Sequence, residues 1–230
     1  MIGIFKSALL RGYGFFVISR TGFRKLLRRF YPNQHQLTSV TSANRYPELF
    51  LESVKATPKN VHPKILSYGC SSGEECFTLA DYFPQSQIVG VDINKANLRK
   101  ANRRNSRGGI KFLLSSDENI RAEGPYDLIY ALSVLCRWDD TRYVTNCEQI
   151  YPFSKYEETV SSLVANLKIN GLLIIYNSNF RFEDTRMFSC FEIVETLSVE
   201  NSGFVYKFDA HNELIDQPHR GCIYRKKILR

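Results

Sequence analysis

No two of the six cysteines, at positions 70, 76, 136, 147, 190 and 222, form a C-x-x-C pair or fall at metal-ligand spacing. That pattern argues against structural zinc, and no metal is expected. With no clear signal peptide either, reduced thiols in a cytoplasmic protein are the expectation. No apolar run is long or continuous enough to span a bilayer. No acidic side chain occurs in residues 1–32, which carry seven basic ones: Lys6, Arg11, Arg20, Arg24, Lys25, Arg28 and Arg29. The other 24 Lys and Arg nearly cancel the 23 Asp and Glu, so the net charge of +8 belongs to this N-terminal arm. None of the four histidines (His35, His62, His211, His219) falls beside a predicted ligand-binding turn, and no catalytic base is named. At 230 residues, without internal repeats, the chain is long enough for one domain with a sizeable core.

The richest stretch runs from Lys64 to Glu75. A short apolar strand enters a turn bounded by Gly69 and Gly73, and a helix over residues 73–83 opens directly from it, with Cys76, Phe77, Leu79, Ala80 and Phe83 on one side. Glycine in such a turn permits φ > 0 or close approach of a ligand to bare backbone. Unpaired N–H groups at the helix start face whatever lies above the turn.

A second strand-like run, residues 87–91, ends in Asp92, nineteen residues after Gly73. That spacing matches a carboxylate at the end of a second strand, placed to accept hydrogen bonds from two ribose hydroxyls. Strand, turn, helix, second strand and terminal acid in order point to a nucleoside cofactor. A dinucleotide fingerprint needs G-x-G-x-x-G, but its second glycine is Ser71 here. Glu74 and Glu75 in the first helical turn suit the helix dipole and would repel a pyrophosphate. They tolerate a ligand with an ammonium and a sulfonium, which favours S-adenosylmethionine over NAD or ATP.

Gly69-Cys70-Ser71-Ser72-Gly73-Glu74-Glu75 resembles the G-C-S-T-G-E-E turn of class I S-adenosylmethionine-dependent methyltransferases, in particular the catalytic domain of chemotaxis-receptor glutamate methyltransferases. The segment from Tyr126 to Leu135 is similar to that family's F-D-L-I-F-C-R-N-V-L passage, and Leu167 to Ile175 to L-K-P-G-G-x-L-x-I. The likeness covers about residues 45–180. It implies a Rossmann-like α/β fold: a mostly parallel seven-stranded sheet, helices on both faces and an antiparallel C-terminal hairpin. Leu132 and Ser133 replace the Arg-Asn pair of the chemotaxis enzymes, and no separate helical N-terminal domain precedes the core, so receptor methylation is not expected. Ser67 stands where many class I enzymes carry an acid, which leaves Glu74 or Glu75 to meet the amino acid end of the cofactor.

Residues 1–44 read as a basic amphipathic arm and linker, and 45–230 as the methyltransferase domain. Thr21 can cap a helix with Phe23, Leu26, Leu27 and Phe30 on one side and Arg24, Lys25, Arg28 and Arg29 on the other. The arm is a candidate for packing as a lid, for peripheral contact with the inner face of a membrane, or, as the lesser alternative, for nucleic acid. A helix is predicted over Pro47–Ala56 and strands over Lys64–Tyr68 and residues 87–91. A helix over 94–104 and strands over Ile110–Leu114 and 128–132 follow. Ser154-x-x-Glu157 has the form of a capping box for a helix ending near Leu167. Strands at 172–176, 191–198, 203–208 and 222–225 complete the series.

Ligands bind at the carboxyl ends of such strands. Gly69, Cys70, Ser71 and Gly73 would border the methionine part of the cofactor, with Glu74 or Glu75 near its amino group. Asp92 would take the ribose, Ile93 would flank the adenine, Asp117 and Glu118 would accept from its amine, and Ala131 and Ser133 would complete the rim. Substrate candidates are Arg137, Trp138 and Tyr143 in the long segment after the fourth strand, and Asn177 and Asn179 past the fifth. The turn after the fourth strand lacks the proline and aromatic of [DN]-P-P-[YF], which disfavours nucleobase amines. The expected function is methyl transfer by in-line displacement to a small-molecule or saccharide-type acceptor, lipid-linked ones included. RNA methylation and a non-catalytic cofactor-binding scaffold are the alternatives.

Overall fold

The computed structural model describes residues 34–36, 39–58, 62–196, 205–216 and 221–228. The arm over residues 1–32, including the helix expected after Thr21, lies outside the described residues. Chain order is α1 (Pro47–Ala56), β1 (Lys64–Tyr68), α2 (Glu74–Tyr82), β2 (Gln87–Asp92), α3 (Lys95–Arg104) and β3 (Ile110–Leu114). Next come α4 (Asp117–Glu123), β4 (Tyr126–Leu132), α5 (Phe153–Ala165) and β5 (Leu167–Tyr176). Two 3-10 turns (Phe182–Asp184, Arg186–Cys190) lead to β6 (Phe191–Thr196), β7 (Lys207–Phe208), β8 (Leu214–Ile215) and β9 (Gly221–Lys226).

Seven strands form one sheet in the order β3-β2-β1-β4-β5-β9-β6. Pairing is parallel from β3 through β5, and β9 runs antiparallel to both β5 and β6. This is the Rossmann-like methyltransferase architecture expected from the sequence. Strand order reverses between β1 and β4, where Ser67 pairs with Gly90 on one side and Tyr130 on the other.

Both faces of the sheet are covered, so its strands read as nearly continuous apolar runs. Alternate side chains serve opposite faces. Ile65, Ile88, Leu128, Tyr130 and Leu172 pack with Leu49 and Phe50 of α1, Leu79 of α2 and Leu98 of α3. Leu66, Val89, Ile129 and Leu173 pack with Ile120 of α4 and with Tyr156, Val160 and Leu163 of α5.

Three expectations need correction. The capping box does not form: α5 begins at Phe153, with Ser154 already inside it and no side-chain cap on Pro152. Asn212 Oδ1 accepts from the Phe153 N–H at 2.7 Å, so a distant segment caps the helix, while Glu157 accepts from the Arg186 N–H at 2.9 Å. Strand β5 starts at Leu167, five residues early, because a register shift opposite Tyr126 and Leu128 absorbs the Asn170-Gly171 turn within the strand. Of the strand expected over 203–208, residues 205–208 are described, and only Lys207–Phe208 form a strand, β7, which pairs with β8 outside the main sheet. The Ser115 to Glu118 segment, given no element in the sequence reading, opens a short helix, with Ser116 Oγ accepting from the Asn119 N–H at 3.2 Å.

Candidate functional site

The turn from Gly69 to Gly73 is tied to the end of β2. Gly69 N and Cys70 N both donate to Val91 O, at 2.8 and 2.9 Å. Asp92 then holds the turn from the side: its Oδ2 accepts from Ser71 N at 2.9 Å and its Oδ1 from Asn94 N at 2.7 Å. Gly69 has φ +82°, and a Cβ there would lie 2.5 Å from Val134 Cγ2, so the glycine serves both the backbone angle and the close approach of the turn after β4. Ser71 adopts φ 50°, unusual for a side-chain-bearing residue. Cys70 turns its thiol into the core beside Cys76, so only its backbone borders the turn.

The two adjacent acids diverge. Glu74 pairs with Arg104 and accepts from Ser72 Oγ at 2.8 Å, and those partners hold its carboxyl below the ordinary value despite burial. Glu75 turns inward, where Ser67 Oγ donates to its Oε1 at 2.7 Å. Desolvation pushes the Glu75 carboxyl up to about 7, with Ser67 and Arg45 opposing the rise. Burial also raises Asp92, against the two backbone donors that favour its ionised form.

At the ends of β4 and β5, Ser133 (φ 56°) and Asn177 (φ 55°) sit side by side in left-handed conformations. Non-glycine residues held this way concentrate at functional sites. Asn177 Nδ2 donates to Ser133 Oγ at 2.8 Å, and the Tyr46 hydroxyl shares a short hydrogen bond with the same oxygen. Asn177 is 2% exposed, and its Oδ1 has no hydrogen-bond partner among the described residues. Ala131 is fully buried in β4 and contributes backbone alone.

A family model described as a methyltransferase domain matches residues 59–219. The chain belongs to that methyltransferase family. Over 111 residues it is 31% identical to a trans-aconitate 2-methyltransferase from Deinococcus radiodurans, covering 45% of this chain and 38% of that one. This chain thus spans well under half the length of that curated relative. Among solved structures it resembles an S-adenosylmethionine-dependent methyltransferase from Clostridium acetobutylicum (16% identity, 64% and 54% coverage, TM-score 0.44). It also resembles an amino pentose methyltransferase from Micromonospora echinaspora (17% identity, 65% and 55% coverage, TM-score 0.42). S-adenosylmethionine is the methyl donor.

The chemistry of the residues around the glycine turn is compatible with that donor. A carboxylate offers about four acceptor positions, and Asp92 uses one on each oxygen for the turn, leaving capacity for hydroxyls. Glu75 places a desolvated carboxyl at the helix start, and Asn177 presents an orphaned carbonyl oxygen on the facing rim. Ile93 lies half-buried just past β2. Asp117 and Glu118 are both exposed on α4, and Asp117 accepts from Ser162 Oγ at 3.0 Å. They stand at the edge of the cluster formed by the other residues.

The substrate candidates separate. Tyr143 is 85% exposed with Arg142 over its ring, and the structure does not bring it to the other candidates. Asn179 is fully buried and acts as a staple: Oδ1 accepts from Arg137 N at 2.6 Å, while Nδ2 donates to Tyr206 O at 2.8 Å and Thr141 Oγ1 at 3.2 Å. Its amide is committed to fixing the loop. Arg137 and Trp138 lie half-buried on the rim, with Arg137 paired to Asp140 at 3.8 Å. His35, expected at an edge or in solvent, is buried between Tyr151 Oη (2.7 Å) and Thr159 Oγ1 (3.1 Å).

Sequence reasoning missed Arg45, Tyr46 and Lys207. Arg45 and Tyr46 open the domain read as 45–230, just ahead of α1, where no local pattern gives them a role. The fold lays Tyr46 on Ser133, and Arg45 over the Tyr46 ring at 5.1 Å, close enough to act on Glu75. Lys207 lies in a short strand-like run where nothing marks it apart from other surface lysines, yet it is 5% exposed.

Proposed function

We propose that this chain transfers a methyl group from S-adenosylmethionine to a small-molecule acceptor by in-line displacement. The observation that carries the reading is the pair of desolvated carboxyls, Glu75 and Asp92, on either side of a bare glycine turn at the switch point of the sheet. In this reading Glu75 meets the ammonium of the amino acid end, with Arg45 available to its carboxylate. Asp92 takes the ribose hydroxyls, and Ile93 flanks the adenine. The donor supplies an activated methyl carbon bonded to a sulfonium.

What the chain must supply is alignment, with reacting atoms about 3–3.5 Å apart. Ser133 and Asn177, locked together and to Tyr46, form a rigid rim for this purpose. One uncommitted hydroxyl proton and the Asn177 carbonyl oxygen remain to orient an acceptor. The Deinococcus relative, named for trans-aconitate, supports a small acceptor. Leu132 and Ser133 replace the Arg-Asn pair of the chemotaxis-receptor enzymes, and no relative reported above is named as one, so a protein acceptor is not favoured.

Calorimetry with S-adenosylhomocysteine, followed by transfer of labelled methyl groups into fractionated cell extract, tests the proposal. Binding together with label in a low-molecular-weight fraction is the expected result. Binding with no transfer to any fraction would replace the enzyme reading with that of a cofactor-binding scaffold.

A further inference from the structure

Lys207 is a buried charge that methyl transfer as described leaves without a task. It lies on β7, 5% exposed, and its ammonium donates to Ser178 O at 2.5 Å. Among the described residues no carboxylate pairs with it, and burial pushes its pKa down to about 7. An ammonium has three N–H donors, and burying it without a counter-charge is strongly unfavourable. Among the described residues the position therefore lacks an anion.

Its surroundings are positive as well. Ser178 and Asn179 form the first turn past β5, and Asn179 connects that turn to Arg137 N at 2.6 Å and to Tyr206 O at 2.8 Å. The backbone N–H of Arg137, whose guanidinium pairs with Asp140 at 3.8 Å, and the Lys207 ammonium thus flank the same two residues. The charged side chains that act on the Cys136 thiol, just past the Ser133 rim, are Lys207, Arg45 and Arg137, all cationic. Arg137 also acts on His35 and Lys155, so like charges gather on this side of the site.

We propose that the acceptor of this methyltransferase carries an anionic group, carboxylate or phosphate, and that Lys207 together with Arg137 supplies the counter-charge that seats it beside the turn after β4. The inference rests on the methyltransferase reading and specifies its substrate class. Arg137 offers a planar fork and Lys207 a compact ammonium, a combination suited to an oxyanion. The same field rejects cationic acceptors.

The test is calorimetry on the full chain saturated with S-adenosylhomocysteine, titrated with malonate, inorganic phosphate or the neutral isostere malonamide. Saturation itself is the separate check: failure to bind S-adenosylhomocysteine overturns the methyltransferase reading, whereas failure at the second step overturns only the anion site. We expect malonate or phosphate to bind, the tighter of the two identifying the group, and malonamide to bind at least roughly tenfold more weakly. Lys207→Met should reduce anion affinity by roughly tenfold or more while leaving S-adenosylhomocysteine binding within about threefold, and Lys207→Arg should restore it. Binding of neither anion, equal binding of malonamide, or unchanged anion affinity in Lys207→Met would each overturn the proposal. If Lys207→Met does not fold, the comparison of anion with isostere in the unaltered chain decides the matter.

Discussion

Ser67 Oγ donates to Glu75 Oε1 at 2.7 Å, so the acid bordering the glycine turn comes from the first turn of α2 while β1 supplies only a hydroxyl. Burial lifts the Glu75 carboxyl from 4.5 to about 7. Between those values the folded chain holds a proton that the unfolded chain gives up. Stability contributed by the neutral acid is therefore full below 4.5, and it declines as pH rises through the window to about 7. Binding of a cationic ammonium requires the opposite, ionised form. Affinity for S-adenosylhomocysteine should rise with pH through about 7 and then level off. Glu75→Gln should flatten that profile and weaken binding at pH 8 by roughly tenfold to a hundredfold, as loss of a charge-assisted hydrogen bond implies. Calorimetry at pH 6 and pH 8 reads both effects.

Asp92 joins the turn to the ligand. Asp92→Ala leaves the N–H groups of Ser71 and Asn94 without their acceptor and removes the proposed ribose contact. We expect a stability loss of about 2–4 kcal/mol by denaturant unfolding and loss of measurable S-adenosylhomocysteine binding. Asp92→Asn retains one acceptor oxygen and should fall between the two. Unchanged ligand affinity in Asp92→Ala would remove this residue from the site.

Gly69 and Val134 meet across the gap between β1 and β4. Gly69→Ala should destabilise by about 1–3 kcal/mol, part from φ +82° and part from the 2.5 Å approach to Val134 Cγ2. In a Val134→Ala background the steric share should shrink, since only the Val134 Cβ at 2.9 Å remains, and the backbone share should persist. A double-mutant cycle in urea separates the two, and equal costs in both backgrounds would show that the contact is not what demands glycine.

His35 is held neutral, with its pKa lowered to about 3 by burial and by the charges of Lys155 and Arg137. The unfolded chain takes up a proton near 6.5 that the folded chain refuses until about 3. Stability associated with this ring is therefore complete above 6.5 and is lost as pH falls toward 3, with a limiting slope of about 1.4 kcal/mol per pH unit. His35→Gln should be less stable at pH 7.5, having lost the fit to Tyr151 and Thr159, yet lose less between pH 6.5 and 4.5. Urea unfolding across that range checks the sign.

Much of the site was legible because its chemistry is local. Gly69, Gly73 and Asp92 stand at spacings that a strand, a tight turn and a helix impose within thirty residues, and the fold places them as read. Glu74 and Glu75 could not be told apart in sequence, since neighbours on a helix point about 100° apart and only Arg104, from another helix, shows which one turns away. Asn179 and Asn177 looked equivalent two residues apart. Loop contacts commit the first to Arg137, Thr141 and Tyr206, and leave the second with an empty carbonyl oxygen.

The sequence alone determined the parallel core of the sheet, the glycine turn tied to Asp92 and the donor expected there, because hydrophobic periodicity, glycine backbone freedom and carboxylate charge act over short stretches of chain. The tertiary structure decided what depends on distant partners: Asn212 capping α5 in place of a capping box, β7 leaving the main sheet for β8, Tyr46 closing onto Ser133, and Lys207 buried against Ser178. The Asn212, Tyr46 and Lys207 contacts each join segments at least 29 residues apart, where no local pattern records which polar group will be left to complete another's hydrogen bonds.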